Sequence, residues 1–296
     1  MQLNGQTSLW LAARILLAER RDDFFRRWFR VLNTFDLDDI HDLRVASRRL
    51  REGLTLFAPI YPAKGIAPLV KKVKQVTTLL GEMRNTDEAL LFFKALSDEL
   101  DAVCRGALTD LLTEFKKRRE KEEETLRERL ESPEPKSFRS SFRKVVRTPF
   151  LFFPPSVSAD PFSTISAYAK ESMQQRIAEV LELLPQARGE ENIDAQHRLR
   201  IAVKHFRYRM EIFSFLVGGG YQELHGAVRG YQDVLGKMHD LDVFAGIVRD
   251  RGFALQVEQA VLAAIAAKRG NLFGDFMAML GKTPLETIGH KVVNAW

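Results

Sequence analysis

Residues 41–51 read His41-Asp42-Leu43-Arg44-Val45-Ala46-Ser47-Arg48-Arg49-Leu50-Arg51. This stretch holds four arginines and one histidine, yet apolar residues recur through it at helical spacing. A related stretch in the second half of the chain reads His197-Arg198-Leu199-Arg200-Ile201-Ala202-Val203-Lys204-His205-Phe206-Arg207. Polar residue types recur between the two stretches, whereas the apolar positions merely stay apolar. We therefore interpret the two stretches as copies of one binding surface, each carried by a helix.

The basic residues of the first copy lie on one side of the predicted helix. With about 100° of turn per residue, Arg44, Arg48 and Arg51 fall within an arc of about 80° that includes His41. Arg49 lies about 80° from His41 on the other side, outside this arc. We call His41, Arg44, Arg48 and Arg51 the first stripe. The opposite, apolar face is predicted to be buried and consists of Ala46, Leu50, Leu54 and Phe57.

The second copy has the same layout. Its basic positions, the second stripe, are His197, Arg200, Lys204 and Arg207. Its predicted core face consists of Ala202, Phe206, Met210 and Phe213. Like charges at this spacing destabilise a helix by a few tenths of a kcal/mol per pair, and no acidic residue occupies a stripe position. This pattern favours an anion-binding surface over a solvated basic face. Four cationic positions along about 15 Å of helix suit an extended or multi-phosphate anion.

The two stripe histidines leave several interpretations open. A neighbouring arginine lowers the pKa of a histidine and a bound phosphate raises it, so His41 and His197 can donate to an anion once it is bound. A metal site would need further ligands at suitable spacing, and the sequence shows no such cluster around either histidine. A structural histidine that hydrogen-bonds a carbonyl group is the third interpretation.

Other basic residues are candidates for the same surface. Lys74 and Arg229 both stand seven residues before the glycine of a second repeated element, Gly81 and Gly236. We rank a further group lower as phosphate ligands: Lys71, Arg84, Arg139, Arg143 and His239. The sequence indicates no catalytic residue, no metal ligand and no cofactor.

Composition is that of an ordinary globular protein with an excess of basic residues. The 296 residues are 45% hydrophobic and 28% charged, with a formal net charge of +6. A positive charge favours an anionic partner. The single cysteine excludes an intrachain disulfide bond, and we find no signal peptide and no apolar run of about 18 residues. We therefore expect a cytoplasmic protein that does not bind a membrane.

Helical periodicity runs through nearly the whole chain, and no segment alternates as a strand would. We expect Asp38 or Asp39 to cap the helix that carries the first stripe. We expect the following helix to end at about Leu80 and another to begin at Asn85 or Thr86.

The second repeated element supports a duplication of the chain. Residues 80–87 read Leu-Gly-Glu-Met-Arg-Asn-Thr-Asp, and residues 235–242 read Leu-Gly-Lys-Met-His-Asp-Leu-Asp. We predict an all-α fold of two similar four-helix bundles related by a pseudo-two-fold duplication. Clustered prolines place the boundary between them. The predicted first bundle is 1–148, the Pro-rich linker is 149–161 and the second bundle is 162–296.

These motifs resemble the CHAD family, the conserved-histidine α-helical domain. Residues 41–51 meet its pattern His-x-x-Arg-Val-x-x-Arg-Arg-Leu-Arg in full, and residues 197–208 meet its second-half pattern His-x-x-Arg-x-x-x-Lys-x-x-Arg-Tyr. The element Leu-Gly-x-x-Arg-Asp-x-Asp is met in part, since Asn85 replaces the first aspartate and His239 replaces the arginine. His205 stands where the family usually has a basic residue. The resemblance covers essentially the whole chain.

The resemblance implies two four-helix bundles around a basic cleft or pore that binds inorganic polyphosphate. It also implies that this domain alone catalyses no reaction. Our own interpretation of the residues is that the two stripes, with Lys74 and Arg229, contact the phosphate groups. Some members associate with polyphosphate granules, which are therefore a second expected partner.

Two other functions stay open from the residues alone. A phosphate-chain-processing enzyme, including a metal-dependent phosphohydrolase, would use His41 or His197 as acid or base and would need a metal or a carboxylate beside the stripe. A single-stranded nucleic-acid binder usually offers aromatic stacking platforms beside its cations. Here Phe57 and Phe213 fall on the core faces, so a nucleic-acid partner is less favoured.

Overall fold

The structure, a computed structural model, describes residues 3–131, 134–147 and 159–294. In these ranges the chain forms ten α-helices and no strand, apart from one isolated bridge between Ser8 and Thr164. The predicted all-α class is confirmed, whereas the duplication into two four-helix bundles stays a prediction. The helices are α1 (Leu9–Thr34), α2 (Leu37–Phe57), α3 (Ala63–Glu99), α4 (Ala102–Glu131), α5 (Glu134–Val146), α6 (Ile165–Ala187), α7 (Ile193–Ile212), α8 (Tyr221–Arg251), α9 (Leu255–Lys282) and α10 (Leu285–Asn294).

Two compact units make up the chain. The first comprises Met1–Phe92 and Leu112–Tyr168, and the second comprises Phe93–Leu111 and Ala169–Trp296. Helices α3 and α4 therefore each contribute residues to both units. The bundle boundaries at 148 and 162 stay a prediction, and residues 149–158 of the proposed linker lie outside the described residues.

The core of the first unit includes the predicted apolar face of α2. Ala46, Leu50, Leu54 and Phe57 are all buried. Gly53 lets α1 lie close, because a Cβ atom there would be 3.2 Å from Cδ2 of Leu17. Burial of this face against α1 sets which side of α2 is left for the first stripe.

The second unit buries the equivalent face of α7 and part of the α3–α4 hairpin. Ala202, Phe206, Met210 and Phe213 are buried as predicted. Helix α8 packs on both α7 and α9. The ring of Phe93, near the end of α3, lies 5.5 Å from the ring of Phe244 on α8.

Two expectations about helix ends are wrong. Helix α3 continues from Ala63 to Glu99, without the break expected between Leu80 and Thr86. Leu80, Met83 and Thr86 are all buried at a spacing of three residues, so contact with the core supports the helix through this polar stretch. Helix α2 is capped by Asp36, whose side chain accepts from the N–H of Asp38.

Gly289 provides a stability test of the contact between α10 and α6. A Cβ atom at this position would lie closer to Cγ1 of Ile177 than two carbon atoms can approach. We expect Gly289→Ala to lower the free energy of unfolding by about 1–3 kcal/mol in urea denaturation.

Gly274→Ala is the matched control, because no described atom lies within 4 Å of a Cβ atom there. It should raise stability by about 0.5–1 kcal/mol through helix propensity. A Gly289→Ala protein as stable as the control would contradict the packing of these helices.

Candidate anion-binding site

The first stripe lies on the side of α2 opposite its buried face. His41 is the most exposed of its four residues, and Arg44, Arg48 and Arg51 are half-buried. Arg49, which the helical wheel places off the stripe, is exposed. The side chains of the stripe can therefore reach solvent while their aliphatic stems cover the helix surface.

A cavity of about 400 Å³ lies beside the N-terminal half of this stripe. Its basic lining comes from His41 and Arg44 of α2 and from Arg84 of α3. Arg84 also pairs with Glu88 one turn further along α3. The structure thus places Arg84, one of the lower-ranked candidates, beside the histidine of the first stripe.

His41 lies near several arginines, although Asp38 and Asp87 also line its cavity. Partial burial of its imidazole lowers its pKa below the usual 6.5, and Arg44 and Arg84 lower it further against the opposing effect of Asp42. At neutral pH His41 is therefore a neutral ring with one N–H donor. An anion bound between these cations would shift the pKa back upward.

In the second unit two histidines are in contact. The Nδ1 atoms of His197 on α7 and His239 on α8 are 3.0 Å apart, and their ring centroids are 4.3 Å apart. In the repeated element His239 corresponds to Arg84. In each unit, therefore, the residue at this position of the second element lies close to the histidine of the stripe.

The histidine pair lies among the cations of the second stripe. Burial, followed by the effects of Arg200, His197 and Lys204, lowers the pKa of His239 to about 4. Burial also lowers the pKa of His197, and Arg200 and Lys204 act in the same direction. Both rings are therefore neutral at pH 7 in the structure as it stands.

Two predicted phosphate ligands of the second unit are paired with acidic residues. The guanidinium of Arg207 donates to Oε1 of Gln232 at 2.7 Å and lies 3.2 Å from Oε1 of Glu211. The side chain of Glu211 is only 9% exposed, so it compensates the charge of Arg207 inside the protein. The exposed Arg229 lies 3.6 Å from Asp233. A phosphate role for either arginine stays a prediction.

Two further predicted groups lie elsewhere in the first unit. Exposed Lys71 and Lys74 line a cavity of about 810 Å³, whose described lining shares no residue with the cavity at His41. Arg139 is 3.8 Å from Asp22 of α1, and Arg143 also acts on that carboxylate. None of these four residues is among those that line the cavity at His41, and a phosphate role for them stays a prediction.

Aspartates at equivalent positions of the second element each pair with an arginine. Nε of Arg119 on α4 lies 2.8 Å from Oδ1 of Asp87, and Nε of Arg269 on α9 lies 2.6 Å from Oδ1 of Asp242. These contacts fit a structural role for the aspartates as partners of basic residues. Each pair ties the helix of the second element to the helix that follows it.

The pair in the second unit extends to the start of α7. Arg269 donates through Nη2 to Oε1 of Gln196 at 2.5 Å and through Nη1 to the carbonyl of Glu190 at 3.2 Å. Gln196 immediately precedes His197. The network thus anchors the end of α7 that carries the stripe histidine.

Two absences hold for the part of the chain that the structure describes. It contains no group of three or more His, Cys, Asp or Glu side chains arranged to hold a metal ion. None of its helices is long and apolar enough to cross a membrane.

Comparison with models of known domain families shows which family this chain belongs to. The CHAD domain model matches residues 15–249. This chain belongs to the CHAD domain family. The match includes both stripes and both second elements, so it confirms the resemblance that the motifs indicate.

Solved structures support the CHAD fold. The crystal structure of the CHAD domain from the plant Ricinus communis is 22% identical, with a TM-score of 0.66 over 99% of this chain and 94% of that chain. The structure of PptA from Streptomyces chartreusis is 14% identical, with a TM-score of 0.66 over 96% of this chain and 100% of that chain. No curated protein matches the chain in a sequence comparison.

The ion pair of Asp242 with Arg269 is open to a direct test in this CHAD domain. Their side chains are only 15% and 12% exposed, so removal of one charge leaves the other buried. We expect Asp242→Asn to lower the free energy of unfolding by about 3 kcal/mol.

Asp233→Asn on the same helix is the control. Asp233 and Arg229 are 54% and 66% exposed, and loss of such a pair changes stability by less than about 1 kcal/mol. Urea denaturation monitored by circular dichroism measures both variants. Equal losses in the free energy of unfolding would show that the network of Asp242, Arg269 and Gln196 contributes no more to stability than an exposed ion pair does.

Proposed function

We propose that this CHAD domain binds inorganic polyphosphate through its two stripes and catalyses no reaction on it. The proposal rests on the residues that lie next to the histidine of each stripe. His41 lies beside Arg84 and near Arg44. His197 lies beside His239 and near Arg200 and Lys204. The two units thus offer the same kind of cationic surface, as the family resemblance implies.

The chemistry of the stripes suits phosphate oxygens. Arginine forks donate two parallel hydrogen bonds to a phosphate, and a lysine supplies a mobile point charge. A polyphosphate chain carries a negative charge at every repeat and has no apolar part. It therefore matches a row of cations better than a single small anion does.

A nucleic-acid partner has less support. Phe57 and Phe213 are both buried, so neither ring is available to stack on a base. A cytoplasmic location, expected from the sequence, and an association with polyphosphate granules, implied by the family resemblance, stay predictions.

Charge reversal on the stripes tests the site. We expect the double variant Arg44→Glu with Arg200→Glu to bind long-chain polyphosphate at least about a hundredfold more weakly, because two charge-assisted contacts are replaced by repulsion. Affinity is measured by isothermal titration calorimetry, and far-UV circular dichroism should show unchanged helix content.

The control changes the net charge equally but off the stripes. Arg49→Glu with Arg198→Glu alters two exposed residues on the same helices. It should reduce affinity only a few-fold at physiological salt, where screening acts beyond about 8 Å. Undiminished binding by the stripe variant, or equal loss in both variants, would remove these residues from the site.

The absence of catalysis is a separate prediction. General acid–base or metal-assisted attack on a phosphate chain needs a positioned base or a bound metal ion. We expect no release of orthophosphate when the purified protein is incubated with polyphosphate and Mg²⁺ or Mn²⁺. Turnover that is lost in a His41→Gln or His197→Gln variant would establish the enzyme alternative.

A further inference from the structure

The His197–His239 contact allows only certain positions of its protons. Two neutral imidazoles whose Nδ1 atoms are 3.0 Å apart can form one hydrogen bond, with one Nδ1–H donating and the other Nδ1 accepting. The ring that donates through Nδ1 then has a bare Nε2, and the ring that accepts keeps its proton on Nε2. The neutral pair therefore has one Nε2–H donor and one Nε2 lone pair, which repels an anion.

One added proton changes this arrangement without moving either ring. The proton goes to the bare Nε2, and that ring becomes an imidazolium that still donates through Nδ1 to its partner. Both Nε2 atoms then carry a proton, and the pair has a charge of +1. A second proton would have to occupy the accepting Nδ1 and break the hydrogen bond, so the pair takes up one proton as a unit.

The charged groups around the pair determine the pH at which it takes up this proton. Arg200 and Lys204 of α7 oppose a further positive charge, whereas Asp194 of α7 and Asp242 of α8 favour it. The carboxylate of Asp242 is already paired with Arg269 of α9. A bound polyanion would offset the stripe cations and thereby favour the protonated pair.

The first unit has Arg84 at the position that His239 occupies in the second unit. There Arg84 lies near His41, and an arginine stays charged at every physiological pH. The exchange of arginine for His239 therefore replaces a fixed positive charge by one that depends on pH. The two units differ in this respect although their stripes have the same layout.

We propose that the His197–His239 pair makes polyphosphate binding by the second unit proton-coupled, with one proton taken up per bound site. This inference rests on the proposed function. The direction of the pH dependence follows from the two states of the pair. Without polyphosphate the pair stays neutral down to acidic pH, and with polyphosphate bound it keeps its added proton to higher pH. Affinity therefore rises as the pH falls between these two limits and levels off below the lower one.

The test compares polyphosphate binding by the full chain at pH 8.0 and pH 5.5 in wild type and in His239→Arg. The wild-type Kd should fall by up to about tenfold for each pH unit inside the coupling window, and His239→Arg should fall less steeply, because it keeps only the proton uptake of His41 and of a His197 ring beside a permanent charge. His239→Arg should also bind more tightly than wild type at pH 8.0, because its charge is permanent. Calorimetry at pH 6.5 in two buffers of different ionisation enthalpy should show more proton uptake by wild type than by His239→Arg.

His290→Arg is the matched control, because it makes the same replacement at an exposed position on α10. It should keep the pH dependence of wild type. Protonation of the terminal phosphates weakens binding at low pH, so it acts against the predicted effect and is shared by all variants. If His239→Arg does not fold, the double variant His197→Gln with His239→Gln takes its place and should lose the pH dependence of the second unit, leaving only the part that His41 contributes in every variant.

The outcomes separate the two proposals. Equal tightening on acidification in wild type and His239→Arg, with equal proton uptake, overturns the proton coupling and leaves polyphosphate binding intact. A wild-type protein that binds no polyphosphate at either pH overturns the proposed function and this inference with it.

Discussion

Burial of one face of α2 and one face of α7 determines where the basic side chains of both helices lie. Leu50 and Phe206, at equivalent positions, are almost completely buried, and the stripes occupy the sides away from them. Because a helix cannot rotate without exposing its apolar face, the core holds each row of like charges in place. The repulsion within a row costs a few tenths of a kcal/mol per pair, which the burial of even one large apolar side chain exceeds.

The second repeated element adds a residue beside the histidine of each stripe and so completes each candidate site. On α3 it brings Arg84 near His41, and on α8 it brings His239 against His197. Asp87 and Asp242, at the ends of these elements, pair with Arg119 and Arg269. These pairs hold the second-element helices against their neighbours, so the position of the stripe histidines depends on residues that need not touch a ligand.

The sequence predicts the all-α class, both buried faces and the family, since each follows from helical periodicity or from motif spacing. It does not predict the partners Arg119 and Arg269, because ion pairs between distant segments leave no periodic signal. It also misses the continuity of α3, where polar residues 81–87 suggest a turn but Met83 and Thr86 face the core. For His239 the sequence shows only a departure from the family pattern, and the contact with His197 requires the coordinates.

The central claim is that rows of cations bind a phosphate chain electrostatically. A titration with polyphosphates of defined length at several salt concentrations tests it most directly. If three cations of one stripe displace counterions as for a single-stranded polyanion, the log–log slope of the association constant against salt should be about −2 or steeper. Affinity should also rise with chain length until the ligand spans about 15 Å of helix. Binding that is independent of salt, or no binding at low salt, would contradict the account.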